Sequence, residues 1–153
     1  MLAITKSTGQ KIDVNIVELT IPGIDDIAGL KRKELVTANA KEDRWWLKSP
    51  GYVSHYAAHV NKGTINYDGS YVLAERGVRP MIVFSDDTLE KGEEFQFLGN
   101  DWMVIAPGKA LCESIVGETA FRADWKVQGS NDFEASDLKK WLRQWYYKCT
   151  GKL

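Results

Sequence analysis

Residues 45–84 read WWLKSPGYVSHYAAHVNKGTINYDGSYVLAERGVRPMIVF, and the rest of the chain is best understood as holding this stretch. Its ends are apolar or rigid: Trp45-Trp46-Leu47 runs into Pro50-Gly51, and Gly77-Val78-Arg79-Pro80 runs into Met81-Ile82-Val83-Phe84. Its middle is rich in Tyr, Ser, His and Asn. That is the composition of a framed display surface, because Tyr offers a large amphipathic contact area at low entropic cost and Ser or Asn adapt their hydrogen bonds. Ala58 and Val60 share a parity, as do Ile65 and Tyr67, which predicts two strands with a turn at Gly63 and another at Asp68-Gly69. The polar positions between the inward ones are expected to face solvent.

Working outward towards the N-terminus, Leu2-Ala3-Ile4 and Lys11 to Ile16 flank Ser7-Thr8-Gly9-Gln10, a hairpin in which Gly9 supplies the positive φ. The alternation Ile12, Val14, Ile16 then slips by one residue to Val17, Leu19, Ile21, the mark of a bulge or of two strands meeting. Ile24, Ile27, Ala28 and Leu30 recur at helical spacing behind Asp25-Asp26, which predicts a short helix ending near Leu35. Residues 37–44 read as a polar loop.

Towards the C-terminus, residues 85–94 are charged and turn-like, a connection without core residues. Phe95 and Phe97, a turn at Gly99-Asn100-Asp101, and Trp102, Val104 and Ile105 predict a hairpin beside Met81 to Phe84. Residues 110–116 are apolar and fit either a strand or an irregular segment. Ser136 is a good helix N-cap, Leu138, Trp141, Leu142 and Trp145 fall on one face, and Gly151 ends that helix.

At 153 residues the chain suits a single domain, 1–153, able to bury about two-thirds of its unfolded surface without disulfide staples. Its 20 basic and 21 acidic residues supply no polybasic footprint for nucleic acid or an anionic membrane, so a glycan or protein partner is favoured. Cys112 and Cys149 read as two reduced thiols. The N-terminal residues lack the pattern of a secretory signal and no window has the length of a membrane span, which predicts cytoplasmic synthesis, with retention until assembly or lysis.

The motifs WWLKSPG, Ala57-Ala58 with Val60, Asp68-Gly69 and Gly77-Val78-Arg79-Pro80 resemble those of an uncharacterised domain family of Gram-positive bacteria and their phages. Its usual pattern is WWLRSPG, AA-x-V, DG and GVRPAL, so Lys48 and Met81 are departures. The resemblance implies an α+β, C-type-lectin-like single domain with a mixed or antiparallel sheet and two helices. In that family the strand resembling residues 95–105 and the helix resembling residues 136–147 precede the WW…GVRP half. Here the half 1–84 comes first, the connection 85–94 follows, and 95–153 closes the chain, which implies a circular permutation. The resemblance also implies a phage-encoded product, virion-associated or free in the host.

His55 and His59 lie four apart but on a stretch that reads as strand and loop, without a carboxylate to complete a metal site, and are read as exposed contact residues. No phosphate loop, nucleophile elbow or CxxC pair occurs, so neither catalysis nor a cofactor is expected. Arg79 and Glu134 suit a buried pair joining the two halves. Of Trp45 and Trp46, one ring is expected in the core and one at an edge. The candidate binding residues are Tyr52, Ser54, His55, Tyr56, His59, Asn61, Asn66, Tyr67 and Tyr71. Their chemistry fits a non-catalytic module that presents this surface to a host glycan or protein. The alternatives are a small intracellular inhibitor of a host defence protein and a small-molecule sponge with a pocket formed by Arg122, Asp124 and Trp125.

Overall fold

In a computed structural model, which describes residues 2–37, 43–85 and 89–151, the chain forms a closed barrel, a five-stranded sheet and a C-terminal helix. The strands are β1 (Leu2–Lys6), β2 (Lys11–Thr20), β3 (Arg44–Pro50), β4 (Tyr56–Asn61), β5 (Thr64–Tyr71), β6 (Glu75–Val78), β7 (Met81–Ser85), β8 (Glu94–Phe97), β9 (Asn100–Ala106), β10 (Lys109–Cys112) and β11 (Gly117–Ala120). The helices are α1 (Ile24–Ile27), α2 (Arg32–Leu35) and α3 (Asp137–Thr150). The barrel runs β1-β2-β7-β10-β9-β8 and closes by antiparallel pairing of Thr5 with Gln96 and Lys6 with Phe95. The sheet order is β11-β6-β3-β4-β5, with β3 and β6 parallel and the other pairs antiparallel. The architecture is therefore α+β, dominated by strands in antiparallel and mixed sheets.

Both sheets draw strands from the segments on either side of residues 85–94. The barrel takes β1, β2 and β7 from the first and β8, β9 and β10 from the second, and the open sheet adds β11 of the second to β3–β6 of the first. Three apolar clusters hold the layers. Ile4, Val14, Ile82, Phe84, Phe95 and Trp102 fill the barrel. Trp45, Leu47, Ala58 and Val60, on one face of the sheet, pack on Met81, Ile105 and Leu111 of the barrel wall. On the other face Trp46, Ala57 and Val78 pack on Phe121, Phe133, Leu138 and Leu142. Strands buried on both faces lose the apolar–polar alternation, which is why β7 reads Met81-Ile82-Val83-Phe84 without a break.

Trp45 and Trp46 are consequently both fully buried, on opposite faces of β3, where one core ring and one edge ring were expected. Each indole N–H finds a backbone acceptor: Trp45 Nε1 donates to the Leu35 carbonyl at 3.2 Å and Trp46 Nε1 to the Thr119 carbonyl at 2.9 Å.

Several local expectations meet the structure directly. The β1–β2 turn places Gly9 at φ +92°, and the phase slip in β2 is a register shift between Ile16 and Glu18 that pushes Val17 into solvent. Ser136 Oγ accepts from Lys139 N at 3.0 Å at the start of α3, and Gly151 ends it at φ +71°.

Others are corrected. The single helix expected to Leu35 is two one-turn helices, each started by its own carboxylate: Asp26 accepts from Gly23 N at 2.8 Å and Glu34 from Lys31 N at 3.0 Å. With α3 they make three α-helices among the described residues, against the two implied by the resemblance. Asp68-Gly69 is not a chain reversal but an irregularity within β5, where Gly69 has φ +91° and an added Cβ would lie 2.4 Å from the Ala57 carbonyl oxygen. The undecided segment 110–116 begins as β10, which separates the β8–β9 hairpin from β7. The connection 85–94 does hold a core residue, because Leu89 closes the barrel interior; its residues 86–88 lie outside the described ones, as do residues 38–42 of the predicted polar loop. Arg79 and Glu134 do not pair: Arg79 Nε donates to the Cys112 carbonyl at 2.6 Å, and Glu134 pairs with Lys139. Both cysteines are free thiols, Cys112 buried and Cys149 exposed. No helix among the described residues is long and apolar enough to cross a membrane.

Candidate functional site

Four rings gather where the β3–β4 connection, the end of β4, the end of β5 and the segment after Phe121 meet. His55 lies 5.0 Å from Tyr56, 5.1 Å from Tyr71 and 5.7 Å from Trp125, measured between centroids. Tyr56 and Tyr71, opposite each other in the β4–β5 register, are 4.7 Å apart, and Tyr71 is 6.0 Å from Trp125. The rings meet at steep or tilted angles, the geometry that the aromatic quadrupole favours over a face-to-face sandwich. Partial burial, together with a hydrogen bond to Tyr71, raises the Tyr56 phenol above its ordinary value, so it stays protonated at neutral pH. Lys126 Nζ lies 5.8 Å from the Trp125 ring centre.

The backbone under this cluster is fixed with unusual completeness. Val53 O accepts from Tyr56 N at 3.0 Å, Ser54 O from Asn131 N at 3.1 Å, His55 O from Val72 N at 3.0 Å and Tyr56 O from Gly51 N at 2.8 Å. Asn131 Nδ2 also donates to the Tyr56 and Val53 carbonyls at 3.0 and 3.3 Å, and Ser130 Oγ donates to the Ser54 carbonyl at 3.2 Å. Gly51 is required here: an added Cβ would lie 2.3 Å from the Asp68 carbonyl oxygen, the same oxygen that accepts from Tyr52 N at 2.8 Å. A loop held this way presents its side chains without the entropic cost of ordering them on binding.

Of the predicted binding residues, Tyr52, Ser54, His55, Tyr56 and Tyr71 belong to this loop and its flanking strand ends. Tyr52 is 81 % exposed and Tyr71 44 %, while Ser54 is exposed and His55 and Tyr56 are half-buried. Asn61, Asn66 and Tyr67 sit towards the other end of the hairpin, about 15 Å along β4 at the usual rise per residue, beside a shallow groove of about 510 Å³ that also meets Arg32, Lys62 and Asp68. The Asn66 side chain has a structural task, accepting from Gly69 N at 3.0 Å.

His59 is a correction. It is 3 % exposed, packed edge-on against Trp46 at 6.4 Å, because β4 is covered on both faces and alternation alone does not carry a polar residue to solvent. Trp125, which packs against His55 and Tyr71, and Asn131, which brackets the loop, were not among the predicted site residues. Trp125 was read from the sequence only as part of a separate pocket with Arg122 and Asp124, and the role of Asn131 depends on a contact across more than seventy residues of sequence.

Burial, and then the charges of Arg76 and Arg44, pull the His59 pKa down to about 4. The unfolded chain takes up a proton there near the ordinary value of 6.5 while folded His59 stays neutral, so stability falls as pH drops from about 6.5 through about 4. Replacing His59 with Gln should flatten that fall, the difference approaching roughly 3 kcal/mol at acid pH. Denaturant midpoints of both proteins at pH 7 and pH 4 check it, and parallel curves would show that His59 does not contribute.

Comparison with protein-family models, curated proteins and solved structures finds no match to this chain.

Proposed function

We propose that this protein is a non-catalytic binding module that presents the loop of Tyr52, Ser54, His55 and Tyr56, with Tyr71 and Trp125, to a neutral partner. The observation that carries this reading is the half-exposed cluster of four rings over a loop whose Val53, Ser54, His55 and Tyr56 carbonyl groups are all engaged. Tyr and Trp dominate binding energy where they sit in rigid, partly desolvated surroundings, and flat exposed rings suit either the apolar face of a sugar or a protein side chain. The near-neutral charge of the chain favours such partners over polyanions as the main target of this surface.

The WW…GVRP resemblance supports a C-type-lectin-like origin for the chain, and with it a phage-encoded product that acts on a Gram-positive host. On this reading the chain is a permuted member of that group. The partner is then a host surface glycan or a host protein.

Binding of purified wild type to a glycan array and to intact Gram-positive cells tests the reading, beside Tyr71→Ala, Trp125→Ala and Tyr67→Ala. The first two should weaken binding by roughly thirtyfold or more, the effect of losing about 2 kcal/mol from an anchoring ring. Tyr67→Ala, at the far end of the hairpin, should leave it unchanged. Binding that survives both ring variants would place the recognition surface elsewhere. Cell binding without any glycan on the array would assign the partner to protein.

A further inference from the structure

The open sheet ends differently on its two sides. At one edge β11 has four residues and lies against α3, where a Cβ added to Gly117 would be 2.4 Å from the Trp141 ring. At the other edge β5 runs for eight residues, Thr64–Tyr71, and among the described residues it pairs with β4 alone. Proteins commonly blunt such an edge with Pro, Lys or a short strand, whereas β5 has neither Pro nor Lys, and its one charge is Asp68. A groove of about 510 Å³ follows residues 64–68, with Arg32 and Lys62 also lining it. Thr64, Tyr67 and Asp68 are exposed, and Val36, itself 42 % exposed, stands beside the turn at Gly63.

The turn before β5 decides which way its backbone groups point. Lys62 and Gly63 both have positive φ, +50° and +81°, as a two-residue type I′ reversal requires. In such a hairpin the flanking pair, Asn61 and Thr64, exchanges hydrogen bonds, and the next pair, Val60 and Ile65, does not. The N–H and C=O of Ile65 therefore face the free edge. Beyond Asn66 the strand is irregular: Gly69 N donates to Asn66 Oδ1 at 3.0 Å, and the Asp68 carbonyl accepts from Tyr52 N at 2.8 Å. A strand pairing with this edge can run no further than Asp68.

We propose that two copies of this chain associate through β5, antiparallel about a two-fold axis at Ile65, and so join their open sheets into one. The outward N–H and C=O groups of Ile65 in the two copies bond to each other. The register that follows is self-complementary, as a two-fold interface requires. Thr64 of one copy meets Asn66 of the other, Tyr67 comes to Gly63 and the exposed Val36 beside it, and Asp68 stands opposite Lys62. Each end of the paired segment thus carries an opposite-charge pair, and Asp68 never meets its own image. Cross-strand charge pairs and aromatic contacts of this kind stabilise a sheet. The segment is short against the roughly 20–30 residues per side of a standard interface, so the dimer is weak and forms only in concentrated solution. The ring cluster lies past the irregularity in β5 and stays open. At the dilution of a ligand-binding assay the chain is a single copy, so Tyr67 bears on association and not on that cluster.

Sedimentation velocity of the full chain from about 5 to about 500 µM, with amide hydrogen exchange at both ends of that range, tests this. The sedimentation coefficient should rise towards that of a dimer, and the Ile65 amide should exchange roughly tenfold more slowly in the concentrated sample. Asp68→Lys and Lys62→Glu, both at exposed positions, set like charges opposite each other twice per dimer and should each weaken association about tenfold or more. The double variant Lys62→Glu with Asp68→Lys rebuilds the pairs and should restore association. A chain that stays monomeric throughout would overturn the proposal and leave the edge to a strand of another protein. A dimer in which Ile65 gains no protection, or which neither single variant weakens, would overturn it by placing the interface on another face. A double variant no stronger than the single ones would overturn the register.

Discussion

Trp46→Ala should lower the unfolding free energy by about 3–5 kcal/mol, the largest loss expected for any single truncation in the sheet. The indole is fully buried between Ala57, Val78 and Phe121, with the Phe121 ring 5.5 Å away at a steep angle. Its removal opens a cavity at the point where α3, the 3₁₀ turn at Phe133–Ala135 and the sheet converge, and so loosens the contacts that hold residues 121–133 in place. Asn131 and Trp125 sit in that segment, so the damage should reach the ring cluster. Trp46→Phe separates the two parts of the effect. It keeps most of the packing but leaves the Thr119 carbonyl without its indole donor, and should cost about 1–2 kcal/mol. Thermal unfolding reads both: at roughly 2–4 °C per kcal/mol for a chain of this length, the alanine variant should melt about 10 °C or more below wild type. A drop of only a few degrees would mean that α3 collapses onto the gap.

How much of this was legible in the sequence depends on the range of the interaction that decides each feature. The turn at Lys62-Gly63, the bulge at Val17, the Ser136 cap and the Gly151 stop are settled within a few residues, and the chain signals each of them locally. Barrel closure is settled by Thr5 meeting Gln96 across ninety residues, and no local pattern announces that pairing. The same distinction divides the candidate site. Tyr52, His55, Tyr56 and Tyr71 were legible because a Tyr- and His-rich run between rigid ends has few structural uses. The entry of Trp125 into their cluster, and the bracing of their loop by Asn131, require the chain to return from the far side of the barrel. His59 was misread for a related reason. Alternation predicts exposure only for a strand with one wet face, and β4 has none near its centre, where Ala57, Ala58, His59 and Val60 are all buried.

Arg79→Ala should be nearly as damaging as Trp46→Ala, at roughly 3 kcal/mol or more, for a different reason. Arg79 occupies the corner between β6 of the open sheet and β7 of the barrel, and it reaches into both. Its Nε donates to the carbonyl of Cys112 at the end of β10, and its guanidinium carbon lies 4.9 Å from the centre of the Trp45 ring in β3. Burial pulls its pKa down to about 10, with Cys112, Glu113, Asp43 and Glu34 acting in the opposite direction, so it is charged at neutral pH in a place where a charge is expensive. Alanine removes the donor to Cys112, the cation over Trp45 and most of the volume at the junction together. Methionine restores volume against Trp45 and needs no charge desolvated, which offsets part of the lost hydrogen bond, and Arg79→Met should cost only about 1–2 kcal/mol. Denaturant unfolding of the three proteins distinguishes the contributions. Equal losses for alanine and methionine would show that the bond to Cys112 and the charge over Trp45 hold the barrel to the sheet. A methionine variant as stable as wild type would show that filled space alone does so, and that the guanidinium is kept at this corner for something other than stability.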